Sequence, residues 1–392
     1  MLISLKRKIP PVTDKDHITL LLPTRGRPEM LGQVFDSLEQ ATARKDKVAV
    51  WLYIDHDDAP TLEAIQSGRF QNYSFGIHWV VGDRTASLGE LHNITWQQCT
   101  SGSGIFMLHA DDTSFVTHGW DDIIRAAFDK YPDRILVAHP HDPALHEPTF
   151  QMILSAEWMA ATGYFSTAWF PFWFDDVWLD QIGQMIGRRA QLPIQLGLIG
   201  GKGKTMRMRN MAFWTSFYNH TLDERVATAA KLREIIHPKP GPERDRNEQE
   251  GRAVIERFAG ERSNFSDLYA LFREERHSSL DADQRGRYDE RYFNLEAKAV
   301  AKLLAKAQSA LKENRFAEAL SLLEVITHSD LHASYVNRLK ADALRGLGRV
   351  AEAQALQAET ARQWPDNSLL RRIFRFMAYV FVEAKRMVYS KW

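Results

Sequence analysis

The feature that most constrains this chain is a unit that recurs along its first 220 residues: an apolar run, a polar turn, then a helical pattern. "HITLLLP" (17–23) is a continuous apolar run ended by proline, and "EMLGQVFDSLEQA" (29–41) places Met30, Leu31, Val34 and Leu38 at helical spacing. "KVAVWLYID" (47–55) is a second run, "TLEAIQSG" a helix, "GIHWVVG" a strand and "LGELHNITWQQC" a helix, before the strand "GIFMLHADD". Apolar runs without alternation are buried on both faces, and strands alternating with helices imply parallel pairing through crossovers. The expected fold of this part is α/β with a mostly parallel, Rossmann-like sheet.

In open sheets of this kind, ligands bind beyond the carboxyl ends of the strands. Those ends carry the chemistry here. "PTRGRP" follows the first strand, "DHDD" the second, "GDRTASLGE" the third and "HADDT" the fourth. Pro23, Thr24, Arg25, Arg27, Asp55, Asp57, Arg84, Asp111 and Asp112 are therefore expected around one site. Asp111 and Asp112 are adjacent carboxylates, which form no core but make a hard oxygen site for Mg2+ or Mn2+. Such an ion is commonly completed by substrate diphosphate oxygens and neutralises charge on a departing phosphate.

Composition narrows the alternatives. Lys plus Arg and Asp plus Glu number 50 each, so no global field selects nucleic acid as a partner. A single cysteine, Cys99, excludes an internal disulfide framework and a Cys-rich zinc site. "MLISLKRKIPP" lacks the apolar core of a secretory signal, and no uninterrupted apolar run has the length of a spanning helix. A soluble or surface-bound, cytoplasmic protein is expected.

On these residues the first 220 positions resemble a family 2 type glycosyltransferase of the GT-A fold. "LLLPTRGRP" is similar to the opening nucleotide loop, "LYIDHDD" to the base-recognition strand end, "SLGELHN" to the Gly…Asn helix, and "MLHADDTSFVTHGWDD" to the metal motif. The resemblance implies a nucleoside-diphosphate sugar as donor and a divalent cation, Mn2+ or Mg2+, as cofactor. Carried over, Thr24 and Arg25 line the nucleotide and Asp55 accepts a hydrogen bond from the base. Arg84 meets base or diphosphate, Asp111 the ribose or metal, and Asp112 the metal. The chain departs from the family at His109, where another aspartate is common, and in "DHDD", where "DDGS" is usual. Uridine is the expected base.

Transfer requires a group that takes the acceptor hydroxyl's proton. The resemblance puts it in an acidic pair beyond the metal strand, matched here by "WFPFWFDDVWLDQIGQMIG" (169–187) with Asp175 and Asp176. Asp176 is the expected base and Asp175 the second choice; the alternative is a helix cap over an aromatic core. The neighbouring aromatic faces suit sugar rings. "GGKGKTMRMRN" (200–210) offers Lys202, Lys204, Arg207 and Arg209 as a basic lid, or as a solvated loop. His220 stands where some GT-A enzymes bring a late metal-ligating histidine; the alternative is a structural histidine.

Beyond residue 236 the pattern changes. Residues 237–262 are Pro- and Gly-punctuated and then highly charged, which reads as a linker passing into a solvated helix. "RFAEA" (315–319) recurs as "RVAEA" (349–353), and this 34-residue period resembles the tetratricopeptide repeat. The end of the chain carries an apolar stripe, Ile373, Phe376, Met377, Val380, Phe381, Ala384 and Val388, with Arg371, Arg372, Arg375, Lys385, Arg386 and Lys391. That combination reads as an interfacial membrane helix, or as a cap on the repeats.

The expected organisation is a GT-A domain (1–236), a charged linker and helical connector (237–296), tetratricopeptide-like repeats (297–366) and a basic amphipathic helix (367–392). The expected activity is metal-dependent, inverting transfer from a nucleotide sugar to a lipid-linked or growing cell-surface glycan. It is placed on the cytoplasmic face of the inner (plasma) membrane, with a possible protein partner for the repeats. A sugar nucleotidyltransferase, or a non-catalytic repeat adaptor with a degenerate transferase domain, are the alternatives.

Overall fold

The structure, a computed structural model, describes residues 9–141, 151–171, 174–200, 211–261, 282–329, 331 and 334–363; only the backbone is described at 211 and 282–289. The chain divides into two compact units, Met1–Leu295 and Glu296–Trp392.

The first unit opens with β1 (Asp14–Thr24), α1 (Pro28–Ala41), β2 (Val48–Asp55), α2 (Ala59–Gln66), β3 (Gly76–Gly82), α3 (Leu88–Gln98) and β4 (Ser103–Leu108). It continues with β5 (Thr113–Phe115), α4 (Trp120–Phe128), β6 (Val137–Pro140), β7 (Ile153–Ser155), α5 (Ala156–Thr162), α6 (Asp175–Met185), β8 (Arg189–Leu192) and β9 (Leu196–Leu198). The helices α7 (Met211–Asn219), α8 (Leu222–Ile236) and α9 (Pro242–Gly260) follow.

Seven strands form a mixed, mostly parallel sheet in the order β3-β2-β1-β4-β7-β6-β8, and β5 pairs with β9 in a small second sheet. β3, β2, β1 and β4 are parallel neighbours, whereas β7 runs antiparallel to both β4 and β6. After β1 the chain builds outward to β2 and β3, then returns to lay β4 on the other side of β1. The gap beyond the ends of β1 and β4 is thus the switch point of the sheet.

Continuous apolar runs explain the central strands. β2 is buried at every position, and Leu20, Leu21 and Leu22 of β1 are buried on both faces. Alternate residues Ile18, Leu20 and Leu22 join Val50, Leu52, Ile105 and Met107 in a core with Leu31, Val34, Phe35 and Leu38 of α1 and Trp120, Ile124 and Phe128 of α4. α3 packs against β1 and β2. Gly104 permits a close strand approach: a Cβ there would lie 2.4 Å from the Lys15 carbonyl oxygen, beside the register shift between β1 and β4.

The charged stretch expected as a linker contains α9, which is docked on the first unit. Arg233 Nε donates to Asn247 Oδ1 (2.7 Å), Asn247 Nδ2 donates to the Ile186 carbonyl (2.9 Å), and Gly251 is buried where a Cβ would meet the Met185 carbonyl oxygen at 2.5 Å. A buried glycine is the physical reason a polar helix can lie this close.

In the second unit, α10 (Ala282–Lys312, which enters it at Glu296), α11 (Phe316–Ile326), α12 (Ser334–Gly346) and α13 (Val350–Gln363) form two helix pairs. Their turns superpose in sequence at the 34-residue offset. Asn314 and Gly348 have positive φ (60° and 76°), Arg315 and Arg349 pair with Glu318 and Glu352, and Ala319 and Ala353 are fully buried. Ala310, Ala341 and Ala343 complete this alanine-rich core. Among the described residues no helix is long and apolar enough to cross a membrane. The basic loop 201–210 and the terminal stretch 367–392 lie outside the described residues.

Candidate active site

β1 ends in Thr24, and the chain turns at Gly26, whose φ of 66° favours glycine. The Gly26 N–H donates to Asp58 Oδ2 (2.9 Å), and Asp58 also caps α2 through Thr61 N. Pro28 starts α1 with its φ preset and no N–H to satisfy. This tight turn aims two arginines in different directions.

Arg25 turns toward the end of β2. Its Nη1 lies 2.8 Å from Asp55 Oδ2, and its fork takes both oxygens of Asp57, at 2.5 and 3.1 Å. Arg84, beyond β3, brings Nε to 4.0 Å from the same Asp55 oxygen. Burial pushes the Asp55 carboxyl above its ordinary range, with both arginines opposing the shift. The Arg25 hydrogen bond holds Asp57 below its own. Pro23 is half-buried and pairs in register with Tyr53, whose hydroxyl donates to the Asp83 carbonyl (2.8 Å). Gly82 leaves room for that hydroxyl, since a Cβ would lie 2.2 Å from it.

Arg27 turns toward the end of β4. Its Nη1 donates to Asp111 Oδ1 (3.0 Å), and the Thr24 hydroxyl donates to Asp111 Oδ2 (2.8 Å), so Asp111 ties β4 to β1 across the switch point. Burial raises the Asp111 carboxyl, opposed by Arg27 and Thr24. Asp112 differs: its side chain is 35% exposed, lies 3.9 Å from Arg27 and accepts from the Thr113 hydroxyl (3.3 Å). His109 is not a ligand candidate. It is buried, its Nε2 bonds the Thr113 carbonyl (2.9 Å), it stacks on Phe115, and burial pushes its imidazole down to about 4.

The expected site residues Pro23, Thr24, Arg25, Arg27, Asp55, Asp57, Arg84, Asp111 and Asp112 therefore share one end of the sheet. Three arginines face five aspartates there, counting Asp58. That carboxylate excess, oxygen-only and partly exposed at Asp112, fits a hard divalent cation. Among the described residues, His220 joins no group of potential metal ligands. Its Nδ1 bonds the Ser216 carbonyl (2.7 Å), and among the described residues no three His, Cys, Asp or Glu side chains are placed to hold one metal ion.

Asp175 and Asp176 open α6 after Phe174, which holds φ at 70°, a left-handed conformation unusual for a bulky residue. Phe174 stacks on Tyr218 (5.0 Å between centroids, 25° between planes). Asp175 is buried and accepts from the Ser166 hydroxyl (3.4 Å), and burial raises its carboxyl. Asp176 is half-buried, and burial and the neighbouring Asp175 charge push it up to about 7. A carboxylate poised near neutrality suits a general base. Of the surrounding aromatics, Phe170 and Phe174 are buried with Trp178, Trp214 and Phe217, while Phe172 and Trp173 lie outside the described residues. Trp169 is half-buried.

Asp58 escaped the sequence reading, although an aspartate two residues before a proline is a helix-start signal. So did Ser166, for which no local signal exists.

No family model matches the chain, and no curated relative matches it. Solved structures are similar in chain trace. A structure of S. aureus TarS 1–349 in complex with UDP-GlcNAc has a TM-score of 0.46 at 10% identity, covering 88% of this chain and 89% of that one. The mannosyltransferase PcManGT from Pyrobaculum calidifontis, in complex with GDP-Man and Mn2+, has a TM-score of 0.41 at 15% identity, covering 83% and 90%. GalNAc-T7 with UDP, GalNAc and Mn2+ has a TM-score of 0.44 at 11% identity, covering 66% and 58%.

Proposed function

We propose that this chain is a metal-dependent, inverting glycosyltransferase that uses a nucleoside-diphosphate sugar, with uridine as the base. The observation that carries the reading is the joining of β1 and β4 by Asp111, Thr24 and Arg27 at the switch point, with Asp55, Arg25 and Arg84 alongside. Asp55 suits an N–H of the base, Arg84 the base or diphosphate, and Asp111 a ribose hydroxyl or the metal. Asp112, with Asp111, would hold Mg2+ or Mn2+, which when bound neutralises charge on the departing diphosphate. Asp176 takes the proton of the acceptor hydroxyl as its oxygen attacks the anomeric carbon and the bond to the diphosphate breaks. A single attack from the side opposite the leaving group inverts that carbon.

The acceptor in this reading is a lipid-linked or growing cell-surface glycan, reached from the cytoplasmic face of the inner (plasma) membrane. The basic, apolar stripe of 367–392 supports the membrane placement, and the 34-residue helix pairs support a tetratricopeptide-like partner surface. Thermal-shift measurement with UDP, GDP, ADP and CDP, each with Mn2+, Mg2+ or EDTA, tests the donor assignment. Stabilisation by UDP that requires the cation is expected. No stabilisation by any nucleoside diphosphate overturns the transferase reading, and selection of another base overturns the uridine assignment.

A further inference from the structure

α3 begins just beyond the Arg84 loop, capped by Ser87, and one of its faces grips the chain at 165–167. Asn93 Oδ1 accepts from two backbone amides, Phe165 N (2.8 Å) and Ser166 N (3.1 Å), and its Nδ2 donates to the Ser166 carbonyl (2.7 Å). One turn earlier, Gly89 lets the same segment touch the helix: a Cβ there would lie 2.0 Å from the Thr167 carbonyl oxygen. Ser166 is fully buried, and its hydroxyl points to Asp175. A continuous path thus runs from α3 through Asn93 and Ser166 to the first residue of α6.

We infer that Asn93, seated by Gly89, is a positioning residue that sets the Asp175–Asp176 turn relative to the loops holding the donor. The inference rests on the transferase reading above. Asn93 reaches neither reacting group. It satisfies three backbone groups of a segment that has no regular partner strand, which fixes where Ser166, and so the acidic turn, can sit. Gly89 and Asn93 are four apart, on one face of the helix, so the contact is a shape-matched seat with no room for displacement.

The test compares Asn93→Ala, Asn93→Asp and Ser166→Ala with the wild-type chain. Calorimetry with UDP and Mn2+ gives affinity and the fraction of competent sites. Hydrolysis of UDP-glucose, UDP-galactose and UDP-N-acetylglucosamine, in which water takes the sugar as UDP leaves, gives kcat per competent site and the donor KM. Misplacement of a reacting group by an ångström costs on the order of 100-fold. Asn93→Ala is therefore expected to lose about 100-fold in kcat per site, with UDP affinity and donor KM within about threefold of wild type. Asn93→Asp keeps the oxygen that accepts both amides and should recover about tenfold of the loss, while Ser166→Ala should lose about two- to tenfold. If Asn93→Ala does not fold, the other two variants decide. Unchanged kcat, loss of kcat and affinity in parallel, or an Asn93→Asp variant no better than alanine each overturns the positioning role. A wild-type chain that binds UDP and releases none from any donor overturns the transferase reading, and the positioning role with it.

Discussion

Replacing Asp176 with asparagine is expected to stabilise the first unit at neutral pH while removing its transfer activity. The carboxyl is raised from 3.8 to about 7 in the folded chain, first by burial and then by the Asp175 charge. Below about pH 4 it is protonated in both folded and unfolded chains and the two bind equal numbers of protons. Between about pH 4 and 7 only the unfolded chain ionises, so this group's contribution to stability falls as pH rises and levels off above the folded pKa. Holding this carboxyl at about 7 instead of 3.8 costs on the order of a few kcal/mol at neutral pH, shared with Asp175. Asparagine has the same shape and no charge, so the variant lacks this slope. At 2–4 °C per kcal/mol for a large domain, the gap in melting temperature should widen by on the order of 10 °C between pH 4.5 and 7.5. Raised carboxyls away from the acidic pair, such as Asp55 and Asp111, cancel in the difference, whereas Asp175 titrates with Asp176 and belongs to the effect. Thermal unfolding of both proteins across that range, with donor turnover measured beside it, is the assay. A gap that stays constant with pH refutes the burial argument; turnover retained by the variant refutes the base role.

Asp112→Ala should abolish Mn2+-dependent nucleotide binding and leave the melting temperature within about 2 °C, because a partly exposed pair contributes little; unchanged UDP affinity with Mn2+ would remove Asp112 from the metal. In the wild-type chain, kcat should rise about tenfold per pH unit up to about 7 and then flatten, as expected of a base that must be ionised. Gly104→Ala should destabilise the first unit by about 1–3 kcal/mol, since the new methyl meets Lys15 backbone at 2.4 Å; denaturant unfolding reads this directly. Removal of 367–392 should end binding to anionic vesicles, which in the intact chain should weaken with salt, as sedimentation would show.

The parallel half of the sheet was legible because β1, β2 and β4 are long apolar runs whose burial leaves no alternative to helices on either side. The antiparallel half was not. β7 has three residues and β6 four, too short to carry a period, and their pairing depends on neighbours distant in sequence. At the site, residue types were legible and roles were not. Asp111 and Asp112 are equivalent to a reader of the sequence, yet the end of β4 turns one inward onto Arg27 and Thr24 and leaves the other partly exposed. The Thr24–Asp111 bond spans 87 residues and exists only because β4 returns to lie beside β1. Asn93 and Gly89 were visible as a pair, but their partner is an irregular segment that no periodicity marks.

The same geometry bears on the cation of the proposed reaction. Among the described residues, each of the three arginines at the strand ends already faces an aspartate: Arg25 faces Asp55 and Asp57, Arg27 faces Asp111, and Arg84 lies nearest Asp55. In the proposed reaction, a diphosphate arriving here would meet more carboxylate than guanidinium among the described residues, and the repulsion would grow as burial excludes water. An arginine could leave its aspartate for phosphate only by stranding a buried carboxylate, at the cost of desolvating an unpaired charge. A divalent cation held by Asp112 would relieve both terms, because it would add positive charge without withdrawing any from Asp55 or Asp111. In the proposed reaction, metal dependence is thus expected from the charge balance of the described residues as well as from an adjacent pair of aspartates. UDP affinity in EDTA equal to that in Mn2+ would contradict the balance directly.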